Sequence, residues 1–263
     1  MGEFKDKVIV ITGGANGIGR CLVEEFVKLG SKVIFMDIDK VAGEKLVNMV
    51  GENATFFSGD VMIETDLQAF TSKVISIYKN VDVLINNACA GSGGILSNKS
   101  FDDFNAVLIS KIAAPYELTK NLKAAFNPKA SIINIASTRA NQSQKDTESY
   151  TAANGGMVAL THALSVSLAP DVRVNAISPG WIDTSDYQLD AQKYVASSCD
   201  KMQHPVGRIG HPLDIFEMVK FLSSKSAGFI TGQNFTVDGG MSKVMIYHGD
   251  EGWRYESEEK NND

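Results

Sequence analysis

Short, almost wholly apolar runs alternate along the chain with longer stretches whose apolar residues recur every three to four positions. The runs at 8–11, 32–36, 55–57, 83–85, 131–135, 172–176 and 234–237 are rich in β-branched and aromatic residues and too short for helices, so they predict seven strands. Helical spacing occupies 17–29, 40–50, 63–79, 101–126, 149–168 and 213–224, and Pro170 closes the fifth of these helices because proline cannot continue one easily. Strands that alternate with helices predict a parallel sheet joined by crossovers, and strands apolar on both faces suit a sheet covered on both sides. The pattern therefore predicts an α/β fold: a single doubly wound Rossmann-type domain over 1–263, with a seven-stranded parallel sheet. Residues 183–207 break the rhythm after the sixth strand and are predicted as a substrate-covering insert, at the carboxyl edge where open α/β sheets bind ligands. The acidic end, 256–263, is expected to fray.

Composition narrows the partners. The chain has 263 residues, 44% of them hydrophobic, which is ample for one large core. Thirty-one acidic residues against 25 basic ones give a net charge of −6 with no basic run, which excludes nucleic acid and an anionic membrane as expected partners. Cys21, Cys89 and Cys199 form no CxxC or Cys/His cluster, so no metal site is expected, and scattered reduced thiols suit the cytoplasm. The first apolar run is too short for a signal peptide or a membrane span.

Between the first strand and the first helix lies Thr12-Gly13-Gly14-Ala15-Asn16-Gly17-Ile18-Gly19. Glycines permit a tight turn and close backbone approach, and a helix N-terminus favours a pyrophosphate, so Gly13, Asn16, Gly17, Ile18 and Gly19 are candidate cofactor-binding residues. The second strand ends at Asp37, 18 residues after Gly19. A carboxylate there accepts from the ribose hydroxyls of an adenosine and repels a 2′-phosphate, and no Arg or Lys stands near Asn16 to welcome one. NAD(H) is therefore expected over NADP(H). The alternative is that Asp37 caps the following turn and Asp39 meets the ribose.

The TGxxxGxG pattern of residues 12–19 resembles that of the classical short-chain dehydrogenases/reductases. The resemblance continues, in order, through Asp60, Asn86-Asn87-Ala88, Ser137, Tyr150, Pro179-Gly180, Ile230-Thr231-Gly232-Gln233 and Val237-Asp238-Gly239-Gly240. It implies a nicotinamide cofactor, with Asp60 and Val61 flanking the adenine, Asn87 supporting the central strand beside Ala88, and Ile182 and Thr184, just beyond Pro179-Gly180, meeting the carboxamide. It also implies a homo-oligomer, typically a tetramer, and a small alcohol or ketone as substrate. Cys89 stands where the family usually has glycine.

The same resemblance implies a serine that holds the substrate oxygen and a tyrosine that passes the proton. Ser137 follows a strand and Tyr150 comes 13 residues later, as the pattern requires. The family's lysine, four residues after the tyrosine, is replaced here by Asn154. Aligning Ala114-Pro115-Tyr116 with the family's Gly-Pro-Phe segment puts Lys111 at the position of the family's asparagine, so the resemblance implies an exchanged pair and the expected tetrad is Lys111, Ser137, Tyr150 and Asn154. The alternative alignment gives that slot to Ser110 and leaves Lys111 on the surface. The change has consequences: an ordinary tyrosine is only about 0.1% ionised at pH 7, and a cation ~4 Å away at an effective dielectric of ~20 contributes about 4 kcal/mol towards ionising it. Asn154 can reproduce a ribose hydrogen bond but not that charge, and alcohol oxidation, which needs tyrosinate, suffers more than carbonyl reduction. A lysine stem long enough to reach across from its helix would restore the charge from Lys111.

The sequence thus predicts an NAD(H)-dependent oxidoreductase acting on a secondary alcohol or ketone. The competing expectation is a cofactor-binding sensor or scaffold with impaired chemistry, favoured by the lost lysine and opposed by the retained Ser137. A lyase or isomerase on the same fold is a weaker third, since fold alone fixes no reaction. Arg139 either draws an anionic substrate to the pocket or is a solvated loop residue. Trp181, Tyr187, Tyr194 and Met202 either line an apolar pocket or pack beneath the insert, while His162 and His204 read as structural or exposed.

Overall fold

The computed structural model describes residues 2–91, 93–189, 192–245 and 247. The expected tail at 256–263 lies outside them, as do 190 and 191 of the insert. Seven parallel strands, β1 (Val8–Thr12), β2 (Lys32–Asp37), β3 (Ala54–Ser58), β4 (Val81–Asn86), β5 (Phe126–Ile135), β6 (Val172–Pro179) and β7 (Asn234–Val237), form one sheet in the order β3-β2-β1-β4-β5-β6-β7. Strand order reverses between β1 and β4, which leaves a crevice at their carboxyl ends.

The strands carry two cores because successive side chains leave a strand on opposite faces. Ile9 and Ile11 join Phe26 of α1 (Gly17–Lys28), Leu46 of α2 (Lys40–Val50) and Phe216 of α8 (Pro212–Ser223). Val10 instead joins Phe70 of α3 (Glu64–Tyr78), Leu118 of α5 (Ala114–Leu122) and Leu164 of α6 (Glu148–Ser167). The doubly wound architecture expected from the apolar runs is what the chain adopts.

The expected helix over 101–126 is divided. α4 (Phe101–Leu108) passes through a π-helical turn (Ile109–Ala113) into α5, a short 3₁₀ turn (Lys123–Ala125) follows, and Phe126 already opens β5. Phe126 pairs with Val81 across a register shift, and the Asn127 amide donates to Asp82. Tertiary pairing thus captures as strand a segment whose local pattern, interrupted by Pro128, does not read as one. Within the insert, a 3₁₀ turn (Ser185–Tyr187) and the capped helix α7 (Ser198–Met202) are the regular elements among the described residues.

Asp82 ties three strands at the amino edge, accepting from Lys7 Nζ at 2.8 Å, Val8 N at 2.9 Å and Asn127 Nδ2 at 3.0 Å. Burial works to raise its pKa, but these donors outweigh burial and hold it below the ordinary carboxylate value. Its contribution is therefore complete above the unfolded-state value of about 3.9 and is lost as pH falls through the lowered folded value. Asp82→Asn is expected to cost about 1.5–3 kcal/mol in urea unfolding at neutral pH, with the difference from wild type shrinking towards pH 2; equal stability at neutral pH would contradict this.

Candidate active site

The glycine loop closes the crevice from the β1 side. Gly13 has φ +66°, and a Cβ built on it would stand 2.9 Å from the Ala88 Cα; one built on Gly19 would strike the Gly13 carbonyl oxygen. The Asn87 amide donates to the carbonyls of Thr12 (3.2 Å) and Gly13 (2.9 Å), while the Thr12 hydroxyl accepts from Asn87 N and Ala88 N. Asn87 thus supports the strand and the loop together. Ile18 packs into the core beneath the loop, so what it offers a ligand is backbone at the start of α1.

A cavity of about 490 Å³ runs from Gly13 past Asp37 and Asp60 to Ala88 and Cys89. Asp37 accepts from Ala15 N through Oδ2 (2.9 Å) and from Asp39 N through Oδ1 (2.9 Å). Asp39 caps α2 by accepting from Ala42 N, and its other oxygen accepts from Asn16 Nδ2 at 2.9 Å. Asp37 therefore does cap the turn, as the alternative from sequence held, and it lines the cavity as well. Two carboxylates border this end, and the hydrogen bonds from Ala42 and Asn16 hold Asp39 below its ordinary carboxylate value. Asp60 and Val61 lie opposite, with the Asp60 carboxylate accepting from Met62 N.

From the other side comes the chain after β6. Gly180 is pressed against Asp238, where a Cβ would come within 2.6 Å of the aspartate Cβ, and this fixes the exit from Pro179. Ile182 bridges to Gly210, Thr184 stands over Gly17, and Leu189 N donates to Asn16 Oδ1 at 3.2 Å. The beginning of the insert is thereby tied to the glycine loop. The cleft fits a dinucleotide: a cradle that a Cβ would fill, a helix N-terminus beside it and carboxylates at the far end.

At the end of β5, Ser137 is buried and its Oγ accepts from Arg139 N at 3.2 Å, which opens a 3₁₀ turn (Thr138–Ala140). Tyr150 faces it from the first turn of α6. Burial pushes the Tyr150 phenol above its usual value; the nearby Cys89 adds to that, while the Ser137 and Asn154 side chains and the Arg139 charge work the other way. Arg139 is the cation that acts most strongly on this hydroxyl. Asn154 is fully buried, its Nδ2 donates to the Tyr150 carbonyl at 2.8 Å, and its Oδ1 has no partner.

Lys111 is only 2% exposed, so it is no surface lysine. The π-helical turn, a device often found at functional sites, brings both Ser110 and Lys111 inward. Ser110 lines the cofactor-sized cavity and its Oγ accepts from Ala90 N, whereas Lys111 Nζ donates to the Ile135 carbonyl at 2.7 Å, two residues before Ser137. Burial lowers the pKa of Lys111, and Cys89 partly offsets this. The Cys89 thiol, raised by burial, responds to Lys111 and acts in turn on Tyr150, so the three groups share one neighbourhood. In the sequence Cys89 stands out only as a departure from glycine; its proximity to Lys111 and Tyr150 has no signal in the local sequence.

Beyond Ser137 and Tyr150 a second cavity, of about 560 Å³, is bordered by Arg139, Gln144, Trp181, Asp200 and Gln203. This wall is more polar than the expected apolar pocket. Trp181 lines it, Tyr194 donates to Asp200, Tyr187 packs against His211, and Met202 is exposed. His204 is buried against Trp181, a structural placement.

A doubly wound parallel sheet with a glycine cradle at its strand-order reversal and a serine–tyrosine pair beside it defines an oxidoreductase of the Rossmann type. The family model described as enoyl-(acyl carrier protein) reductase matches residues 13–242. An uncharacterized oxidoreductase of Thermotoga maritima is 42% identical over 93% of this chain and 99% of its own. The L-fucose dehydrogenase of Rattus norvegicus is 34% identical over 91% of each chain. Among solved structures, an apo SCOR enzyme from Clostridium thermocellum is similar with a TM-score of 0.87 and 42% identity, covering 96% of this chain and 99% of that one. The chain belongs to the short-chain dehydrogenase/reductase family. Among the described residues no helix is long and apolar enough to cross a membrane, and no cluster of potential metal ligands occurs.

The cysteines report on this geometry. Cys21 is buried with its pKa pushed up to about 12, chiefly by burial, whereas Cys89, at the cleft, and Cys199 are both exposed. Iodoacetamide labelling read by mass spectrometry should modify the exposed Cys199 and Cys89, with Cys89 the slower at neutral pH because its thiol is held above the ordinary value, and Cys21 only on unfolding. Prompt labelling of Cys21 would contradict the packing of α1.

Proposed function

We propose that the protein is an NAD(H)-dependent oxidoreductase that interconverts a secondary alcohol and a ketone. The observation that carries this reading is the meeting of the glycine-cradled cleft with the Ser137–Tyr150 pair at one sheet edge. A relative named as a dehydrogenase of L-fucose fits chemistry at a CH–OH carbon.

Gly13, Gly17 and Gly19 would let the pyrophosphate approach the start of α1, with Asn16 and Asn87 holding the loop in shape. Asp37 would accept from the ribose hydroxyls, and with Asp39 beside it a 2′-phosphate would meet two negative charges, which favours NAD(H). Asp60 and Val61 would border the adenine, and Ala88, Pro179, Gly180, Ile182 and Thr184 the nicotinamide end. The nicotinamide ring supplies the hydride acceptor or donor. Ser137 Oγ holds the substrate oxygen, and Tyr150 Oη gives or takes the proton. Asn154, at the position of the family's lysine, is fully buried and braces the Tyr150 carbonyl through Nδ2.

Lys111 completes the exchanged pair from beneath. Its Nζ donates to the Ile135 carbonyl, which positions Ser137 two residues on. Arg139 adds charge from the cavity side. Because burial raises the Tyr150 phenol, it remains protonated at neutral pH and serves ketone reduction there. Alcohol oxidation needs the phenolate, so its rate should climb with pH beyond the ordinary tyrosine value of about 10.

The test is NAD(H)-linked turnover of an alcohol and ketone panel by wild type, Tyr150→Phe, Lys111→Met and the double variant Lys111→Asn/Asn154→Lys. Wild type should be active, Tyr150→Phe should lose about 10²–10⁴-fold, and Lys111→Met should lose on the order of 10²-fold in kcat through misplacement of Ser137. Activity confined to the double variant would mean that the natural chain binds cofactor without this chemistry. In parallel, NADH should bind about 100-fold more tightly than NADPH, as several kcal/mol of like-charge repulsion implies; equal affinities would overturn the assignment of Asp37.

A further inference from the structure

The described residues include four arginines, and three of them have partners. Arg20 pairs with Glu24 at 2.8 Å, Arg208 with Asp214 at 2.7 Å, and Arg173 donates to the carbonyls of Ile230 and Ser224. The Arg139 guanidinium alone has no partner among the described residues, although it is half-buried and borders the cavity beside Ser137 and Tyr150. Its backbone N–H donates to Ser137 Oγ, so the turn that sets the serine also sets the arginine. A partly desolvated cation that no protein group satisfies is costly to keep unless something else satisfies it. Its planar fork of donors suits a carboxylate held by two parallel hydrogen bonds.

The rest of the wall has a different character. The side-chain amides of Gln144 and Gln203 border the cavity with no partner among the described residues, and each can both donate and accept. Asp200 uses Oδ2 to accept from Tyr194 OH at 2.7 Å and Ser197 N at 2.8 Å, which leaves Oδ1 for a further donor. Trp181 is braced by Tyr194 and His204, with ring centroids at 5.7 and 6.2 Å, and offers one fixed ring. Two amides and a spare carboxylate oxygen match several hydroxyl groups better than a hydrocarbon chain.

We propose, resting on the oxidoreductase reading above, that the substrate is a polyhydroxylated carboxylic acid whose carboxylate lies on Arg139 and whose reacting carbinol lies on Ser137 and Tyr150. Its remaining hydroxyls meet Gln144, Gln203 and Asp200. In the oxidation, the carbinol C–H bond would break with its electron pair leaving as hydride to a bound oxidised nicotinamide, the hydroxyl proton would pass to the Tyr150 phenolate, and a carbonyl would form. Arg139, Ser137 and Tyr150 line the same cavity, so one small molecule can meet all three. The charge balance favours a carboxylate over a phosphate. The cavity wall carries one cation and one anion, Arg139 and Asp200, and a phosphate of about −2 would face that aspartate with half its charge unmatched.

The experiment is calorimetric titration of NAD⁺-saturated protein with a panel of aldonates, the matching alditols and the matching sugar phosphates, for wild type, Arg139→Gln and Arg139→Lys. NADH binding, measured alongside, shows that each variant is folded. One charge-assisted bidentate pair predicts that the best aldonate binds wild type about 10–100-fold more tightly than its alditol. Arg139→Gln should bring that ratio close to one, and Arg139→Lys should leave part of it. The inference is overturned if no aldonate binds, if alditols or sugar phosphates bind as well as aldonates, or if Arg139→Gln leaves the ratio unchanged. Failure of wild type to bind NADH at all would instead strike the oxidoreductase reading on which it rests.

Discussion

The site depends on the amide of Asn87. It stands just past β4, where strand order reverses, and its Nδ2 spans the carbonyls of Thr12 and Gly13. β1 and β4 pair side by side as far as Thr12 and Asn86, and the chains that leave them pass to opposite faces of the sheet, which opens the crevice at this point. The amide holds the glycine loop at one distance from Ala88, so close that Gly13 has no room for a side chain. The cradle, the direction of α1 and the wall formed by Cys89 all follow from that clasp. The insert then fastens to the same loop through Leu189 and Asn16, so the two sides of the cleft share an anchor.

The reaction centre solves an electrostatic problem in an unusual place. The helix that carries Tyr150 also carries Asn154, which is neutral and buried, and no cation takes the usual position one turn on. Two basic side chains approach from other elements: Lys111 from the π-helical turn beneath the sheet edge, and Arg139 from the turn after β5. The two differ in environment. Lys111 is nearly sealed from water and bonded to backbone, whereas Arg139 faces an open cavity. Both depend on the end of β5, since Ile135 holds one and Ser137 orients the other.

Much of this was legible in the sequence because the governing forces are local or periodic. Two-faced apolar runs such as 8–11 announce a covered parallel sheet, and the spacing of Gly13, Gly17 and Gly19 announces a loop that side chains cannot enter. The segment 101–126 was not legible, because a π-helical turn leaves the apolar period nearly intact, and because Phe126 becomes strand only by pairing with Val81. Asp37 and Asp39 both suggested themselves, but only the fold shows that the first braces Ala15 while the second caps α2. Lys111 could be placed opposite Asn154 by alignment, yet its burial and its bond to Ile135 are tertiary facts. The polar wall around Arg139 joins residues from four separate stretches of chain, which no spacing rule connects.

The central claim is that the cleft and the Ser137–Tyr150 pair together move a hydride. The most direct measurement is to follow the label when the protein is incubated with NADH carrying deuterium at the reactive ring position and with a panel of polyhydroxylated keto acids and simple ketones. Deuterium should appear at the new carbinol carbon of at least one product, and Tyr150→Phe should suppress the transfer while NADH still binds. NADH that binds wild type tightly but keeps its deuterium against the entire panel would instead identify the chain as a cofactor-binding protein without this chemistry.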